Sequence, residues 1–366
     1  MPEFLPKELE EFRADLLDFL IDKVNLSSIE LKDACLAKGI YKIPQPIEYG
    51  GSDAGPLKLA VCYETVASAG ISNISDVIGP APGILSGAND DIAKNYLYPM
   101  LRGDKTGSFA FTESDSSNPT VATWIEGDLR ITGKKSYVSS VHNSDFMSVV
   151  LNVKHNDNSR PSGQAVLVVD TTTDGVVIGE PFVSLDGSAH SEVTFNDVIV
   201  SSNHVVGAIG EGIPRAIGGI LKERLEQAAI ATGMAIYAMS LVAENLMISH
   251  RSGGTLGDLE GVRLRYGEMR INTFATRATL YRAARILEKD QDSINEVTSA
   301  KVFCTETSSS IIDSAVQLVG GRGLINGHPL EVIYRKIRSM RLAGGATDVL
   351  RLSVSKGALE FDAGIL

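Results

Sequence analysis

The stretch GSFAFTESDSS, from Gly107 to Ser117, lies where the chain changes from helical to strand patterning. In the residues before it, apolar side chains recur at three-to-four spacing, as in FRADLLDFLIDKV, which predicts amphipathic helices. After it come short β-branched runs such as FMSVVLNV and QAVLVVD, bounded by Gly, Asn and Asp, which predict strands. Beyond Gly212 the helical pattern returns in long segments. A β segment between two helical segments, without strand–helix alternation, predicts an α+β multidomain protein and argues against a Rossmann sheet.

Composition narrows the class of protein and of partner. The chain has 366 residues, 43% of them hydrophobic, and a formal net charge of −11, which opposes general nucleic-acid binding. We find no apolar run of about 18 residues and no signal-peptide core, and therefore expect a cytoplasmic protein that is not associated with a membrane. Cys35, Cys62 and Cys304 are far apart and the histidines are scattered, so we expect reduced thiols and no metal site.

Two motifs place hydroxyl and backbone groups where strands end. GSFAFTESDSS ends a predicted strand in Thr112 and Glu113, and GKKSYVSS, from Gly133 to Ser140, sets an aromatic side chain beside serines. Taken alone, the first motif is better explained as an Asx/Ser turn, and the second could be a plain strand.

Taken together and in this order, the two motifs resemble "FALTEPxAGSD" and "GxKxWITN" of the acyl-CoA dehydrogenase flavoprotein family. Four further segments resemble motifs of that family in the same order: PIEYGG (46–51), SEVTFNDVIVSSNHVVG (191–207), LVGGRGLINGHPLEVIYRKIR (318–338) and GGATDVLR (344–351). The resemblance implies a dimer or tetramer with three domains: an N-terminal α-helical domain (1–105), a middle β-barrel-like domain (106–207) and a C-terminal four-helix bundle (208–366).

The resemblance also implies FAD as cofactor. It places Phe111 and Thr112 beside the isoalloxazine ring, Tyr137 in place of a ring-stacking tryptophan, and Ser139 at flavin N5. Thr347 falls near the phosphates at a helix N-terminus, which favours anions. The residues expected to meet the adenosine diphosphate across a subunit interface are Arg251, Gln317, Gly320 and Gly321.

Family members dehydrogenate an acyl thioester: a carboxylate removes the α proton while hydride passes to flavin N5. In many members the carboxylate is the Glu of "YEGT", where this chain has Gly344. In branched-chain and long-chain members it directly precedes an arginine on the first C-terminal helix, as Glu223 precedes Arg224 here. We therefore predict Glu223 as base, a thioester contact from the Gly344 N–H, and Ser188 and Arg224 as substrate-binding residues. Otherwise Glu223 is an ordinary exposed residue. Glu226 lies three residues further along the helix and is not equivalent.

Departures from the family pattern bear on the substrate. Asp186 stands where an arginine is usual, and Lys336 where an aspartate is usual, which weakens the expected grip on the CoA nucleotide. We therefore expect an acyl, aminoacyl or hydroxyacyl group on the phosphopantetheine of an acyl carrier protein, as in polyketide and nonribosomal peptide biosynthesis. A short branched-chain acyl-CoA dehydrogenase and a non-catalytic scaffold are the alternatives.

Basic residues recur at two places where an acidic carrier protein could dock. Ion pairs between subunits or a solvated helix face explain the same residues at least as well. The acyl group, the electron acceptor, and the choice between dehydrogenase and oxidase stay open. The two sets of basic residues are Arg263, Arg270 and Arg277, and Arg335, Lys336, Arg338 and Arg341.

Overall fold

The structure is a computed structural model that describes residues 4–71, 73–155, 159–249, 253–289 and 293–364. The chain forms two compact units. The helical unit comprises Met1–Pro46, Gly51–Ile78 and Leu221–Leu366, and the β unit comprises Ile47–Gly50 and Gly79–Ile220. The borders at 105 and 207 stay predictions of domain boundaries.

The helices follow from local signals in the sequence. Ser27 and Glu30 form a capping box at the start of α2, and Pro56 occupies the first turn of α3. A single turn of π-helix joins α4 to α5, and both belong to the β unit. In chain order the helices are α1 (Lys7–Ile21), α2 (Ser28–Lys38), α3 (Pro56–Ser68), α4 (Asp90–Ile92), α5 (Tyr98–Arg102), α6 (Gly212–Leu246), α7 (Glu260–Glu288), α8 (Ile294–Val319), α9 (Pro329–Met340) and α10 (Thr347–Phe361).

Helix α6 is a core helix of the helical unit. By length and composition it could cross a membrane, but 67% of its apolar window is buried inside the protein. Small residues let other backbone segments approach it closely: a Cβ at Gly233 would lie 2.3 Å from the Glu64 carbonyl oxygen of α3. The close packing of α3 and α6 therefore requires glycine at 233.

The β unit contains one curled sheet. Its strands run in the order β1-β4-β2-β3-β8-β6, with β5 paired to β4 and β7 paired to β8. Strand β4 pairs in parallel with β1 and β2, and the other pairings are antiparallel. The strands are β1 (Gly107–Ala110), β2 (Val121–Ile125), β3 (Asp128–Ser139), β4 (Phe146–Lys154), β5 (Gly163–Asp170), β6 (Val176–Ile178), β7 (Phe182–Val183) and β8 (Ala189–Val200).

The predicted fold class is confirmed, with two strands added. Sequence patterns indicated six of the strands and missed β2 and β7. Gly127 was a sequence signal for the hairpin of β2 and β3, because two-residue hairpin turns favour glycine. In the structure Glu126 and Gly127 form that turn, with positive φ of 48° and 107°. Strand β7 has two residues, too few for a periodic pattern.

Candidate functional site

A buried ion pair joins the two sequence motifs in the β unit. Lys135 of β3 is 1% exposed, and its ammonium group contacts the Glu113 carboxylate and donates to the Phe111 carbonyl at 3.0 Å. Burial lowers the pKa of Lys135, and Glu113 opposes that shift. Thr120 donates to Glu113 through its N–H and its hydroxyl, at 3.1 and 3.0 Å. The sequence analysis missed this pair, although a lysine at an inward-facing position of β3 is the signal for it.

The residues expected at the flavin ring present aromatic and hydroxyl groups to the outside of this unit. Tyr137 has φ 55° at a bulge of β3, and its side chain is 66% exposed. The Ser136 N–H donates to the Thr112 carbonyl at 2.9 Å, which brings Thr112 and Tyr137 onto adjacent segments. A cavity lies beside Phe111 and Thr112. An exposed ring next to hydroxyl groups suits a planar ring system with polar edges, so these residues fit FAD.

A hydrogen-bonded chain links Ser188 to Ser139. Ser188 donates to Asp186 at 2.6 Å, and its hydroxyl lies 3.0 Å from His190 Nε2. On the other side of the imidazole, Nδ1 lies 3.0 Å from the Ser139 hydroxyl. The structure thus connects a predicted substrate residue with a predicted cofactor residue through a histidine to which the sequence analysis gave no role.

Glu223 of α6 combines accessibility with desolvation. Its side chain has exposed surface, yet the surrounding protein raises its pKa because burial disfavours the carboxylate. Arg224, Lys301 and a hydrogen bond from Gln227 act in the opposite direction. Water therefore reaches a carboxylate that is nevertheless more basic than usual, as a general base requires.

Gln227 occupies the space that a side chain at 344 would need. Its Nε2 donates to Glu223 Oε1 at 2.9 Å, and the amide lies against Gly344. A Cβ at 344 would lie 2.9 Å from Nε2 and 3.0 Å from Oε1, and Gly344 has φ 62°. Gln227 Oε1 is buried without a partner among the described residues. The missing side chain at 344 thus leaves room for the Gln227 amide beside Glu223.

Two cations hold the carbonyl groups of the glycine pair. Arg224 Nε donates to the Gly344 carbonyl at 3.1 Å, and Lys301 Nζ donates to the Gly345 carbonyl at 2.8 Å. Lys301 is fully buried, and burial lowers its pKa to about 8. In the described part of the chain the two glycine N–H groups have no acceptor, so they are available to a ligand oxygen.

Glu226 is hydrogen-bonded to the Tyr63 hydroxyl, whereas Glu223 accepts from the Gln227 amide. Burial and the charge of Glu223 raise the pKa of Glu226 to about 7, while the Tyr63 hydroxyl, which hydrogen-bonds to it, lowers it. Its exclusion as the base stays a prediction.

The remaining predicted residues lie in three places. Thr347, 5% exposed, donates to Glu306 at 2.6 Å, and Glu306 also pairs with Arg341 at 2.7 Å. Thr347 therefore lies beside a cluster of charged residues of the chain itself. Its role at the phosphates stays a prediction. Arg251 lies outside the described residues. The exposed end of α8 and the turn after it carry Gln317, Gly320 and Gly321.

Several of the basic residues pair within the chain. Arg277 binds the buried carboxylate of Glu64 at 2.7 Å. Arg335 pairs with Glu331 at 2.6 Å. Intramolecular ion pairs therefore account for part of the basic pattern on α7 and α9.

This architecture is that of the acyl-CoA dehydrogenases. The chain superposes on a structure described as a putative acyl-CoA dehydrogenase from Mycobacterium smegmatis with a TM-score of 0.85 at 23% identity, covering 98% of this chain and 99% of that one. A structure described as the FAD complex of PigA superposes with a TM-score of 0.82 at 19% identity, covering 98% and 99%. Both likenesses confirm the fold.

Sequence comparison points to the same group of proteins. Residues 210–359 match the model of the acyl-CoA dehydrogenase C-terminal domain. A 3-(aryl)acrylate reductase of Clostridium sporogenes is 24% identical over 98% of both chains. A mitochondrial short/branched chain specific acyl-CoA dehydrogenase of Rattus norvegicus is 25% identical over 87% of this chain and 76% of its own. The C-terminal part of the chain, residues 210–359, therefore belongs to the acyl-CoA dehydrogenase C-terminal domain family, and the relatives extend the similarity over most of the chain. This agrees with the prediction of FAD as cofactor.

Proposed function

We propose that the protein is an FAD-dependent oxidoreductase that dehydrogenates an acyl thioester, with Glu223 as the base. The observation that carries the proposal is the contact of the Gln227 amide with both Glu223 and Gly344. That contact places Glu223, whose pKa is raised by burial, beside position 344, where the more common carboxylate of the family is absent.

The chain's own residues divide the work of proton abstraction. Glu223 takes the α proton of the acyl group, and the Gly344 and Gly345 N–H groups donate to the thioester oxygen as negative charge develops there. Arg224 and Lys301 hold the glycine carbonyls and so keep those N–H groups oriented. FAD, when bound, accepts the hydride.

For the substrate we propose an aminoacyl, hydroxyacyl or simple acyl group on the phosphopantetheine of an acyl carrier protein. Asp186 and Lys336, which replace family residues, support a carrier over CoA. A protein of this fold has been solved with FAD and proline, which supports an amino-acid-derived acyl group. The branched-chain relative of Rattus norvegicus favours short branched acyl-CoA as the second candidate.

A homo-oligomer is part of the proposal. Leu264, Ile271 and Phe274 on α7 are 69%, 69% and 68% exposed, and their spacing places them along one side of the helix. An apolar stripe of this kind is typical of a subunit interface. Light scattering tests the dimer or tetramer directly.

One series of experiments tests the function. The purified protein should carry FAD, and a matching thioester should bleach the flavin absorbance under anaerobic conditions. Glu223→Gln should keep FAD bound and lose the bleaching, whereas the neighbouring exposed-residue variant Lys222→Gln should bleach as the wild type does. Bleaching by Glu223→Gln at the wild-type rate contradicts the base assignment, and a protein that binds no FAD supports the scaffold alternative.

Matched substrates separate the carrier from CoA. The same acyl, aminoacyl and hydroxyacyl groups are presented on carrier protein and on CoA, and kcat/KM is compared. Efficient turnover of short branched acyl-CoA without turnover of carrier-bound groups contradicts the carrier proposal.

A further inference from the structure

The four-residue chain on the β unit can reverse the hydrogen-bonding sense of one exposed hydroxyl. Ser139 on β3 and His190 on β8 are directly opposite each other in the strand register, so their side chains share a face of the sheet. Ser188, two residues before His190, lies beside the imidazole and contacts Asp186. Phe182 of β7 stacks on the imidazole with ring centroids 5.5 Å apart, which holds the ring plane.

The carboxylate of Asp186 sets the direction of this chain. An ionised carboxylate only accepts hydrogen bonds, so Ser188 must donate across the 2.6 Å contact. The hydroxyl of Ser188 has a single proton and therefore accepts from His190, which requires a proton on Nε2.

The protonation state of His190 then determines whether the Ser139 hydroxyl donates or accepts a hydrogen bond on its exposed side. In neutral His190, Nδ1 has no proton and accepts from Ser139, so the exposed side of Ser139 acts as an acceptor. In the imidazolium, Nδ1–H donates to Ser139, and the serine proton is free to point outward. Gain of one proton by His190 thus turns Ser139 from an acceptor into a donor.

We propose that Asp186, Ser188 and His190 are positioning residues that match Ser139 to the oxidation state of the flavin. This inference rests on the proposed function, in which Ser139 lies at flavin N5. Oxidised flavin has an acceptor at N5 and suits the imidazolium form, whereas reduced flavin has N5–H and suits the neutral form. Binding and protonation are linked reciprocally, so reduction of the flavin releases a proton from His190.

Charged and ionisable neighbours of His190 are few in the described residues. Its own segment contributes Asp186, and β7 contributes the uncharged ring of Phe182. The Tyr137 ring of β3 packs edge-on against Phe182 at 5.5 Å. Glu192, two residues further along β8, is paired with a lysine of β3 at 2.9 Å. Asp186 is therefore the charged group that the hydrogen-bond chain connects to the imidazole.

The first experiment needs no flavin. Imidazole hydrogen–deuterium exchange followed by mass spectrometry measures the imidazolium fraction of each histidine in the protein without FAD. Measured at one fixed pH, the imidazolium fraction of His190 should fall at least twofold in Asp186→Asn and in Ser188→Ala. His142, whose Nε2 contacts the Gly179 carbonyl at 3.0 Å, is the internal control and should not change. An unchanged His190 in both variants overturns the hydrogen-bond chain.

The second experiment uses the FAD-loaded protein. The slope of flavin midpoint potential against pH gives the protons taken up per two electrons. Wild type should take up fewer protons than His190→Gln, by up to one. Asp186→Asn should behave like His190→Gln, because an asparagine amide can donate to Ser188 and reverse the chain, whereas His142→Gln should match the wild type. Equal uptake in wild type and His190→Gln overturns the proposal. Protein that binds no FAD but passes the first experiment refutes the proposed function and supports the hydrogen-bond chain.

Discussion

Gly344→Ala tests the contact on which the base assignment depends. Alanine at φ 62° is in the left-handed region, which costs about 1–2 kcal/mol. Its Cβ would also press on the Gln227 amide, at 2.9 Å from Nε2, and displace it from Glu223. Loss of the hydrogen bond from Gln227 to the Glu223 carboxylate, which is accessible to solvent, adds a further cost of about 1 kcal/mol or more. We expect Gly344→Ala to lower the free energy of unfolding by about 2–4 kcal/mol in total.

A double-mutant cycle separates strain from contact. Without the Gln227 side chain, Gly344→Ala should cost the strain alone, so Gln227→Ala and Gly344→Ala should couple by about 1–2 kcal/mol in urea unfolding of the FAD-loaded protein. Gly39→Ala is the matched control, because Gly39 has φ 79° and open space around its Cβ position. Its cost should be strain only and additive with Gln227→Ala. Coupling below about 0.5 kcal/mol at position 344 would refute the contact.

Three further predictions concern buried polar groups. Lys135→Met leaves the partly buried Glu113 without its cation and should lower the free energy of unfolding by about 3–5 kcal/mol. Adding Glu113→Gln should recover part of that loss. Equal unfolding midpoints for Lys135→Met and wild type contradict the ion pair. Gln227→Met removes a donor that lowers the pKa of Glu223, so the acid limb of kcat/KM should move to higher pH; an unmoved limb means that the amide does not govern the base. Glu226 has a pKa raised from 4.5 to about 7, so the folded state holds the extra proton and stability falls as pH rises through that window. Glu226→Gln should remove this slope of up to about 1.4 kcal/mol per pH unit, measured by urea unfolding at several pH values; an unchanged slope assigns it to another group.

Local patterns were sufficient for the long helices and for most of the strands. Residue patterns predicted long helices beyond Gly212 and strands at FMSVVLNV (146–153) and QAVLVVD (164–170). The structure places α7 at Glu260–Glu288, β4 at Phe146–Lys154 and β5 at Gly163–Asp170. The spacing of apolar residues shows which face of a helix or strand is buried, and residues close together in the sequence are enough to reveal it. Family motifs also pointed to Glu223 and Gly344, but not to the Gln227 amide that contacts both.

The tertiary structure alone decided which polar groups meet. Gln227 and Gly344 are 117 positions apart, and their contact depends on how α6 packs against the loop before α10. Ser139 meets His190 because β3 and β8 pair in one particular register, and a slip of one residue would put the two side chains on opposite faces. Hydrogen bonds act over about 3 Å and have no sequence period, so the partners that give Glu223 and Ser139 their chemistry follow only from the packing of distant segments.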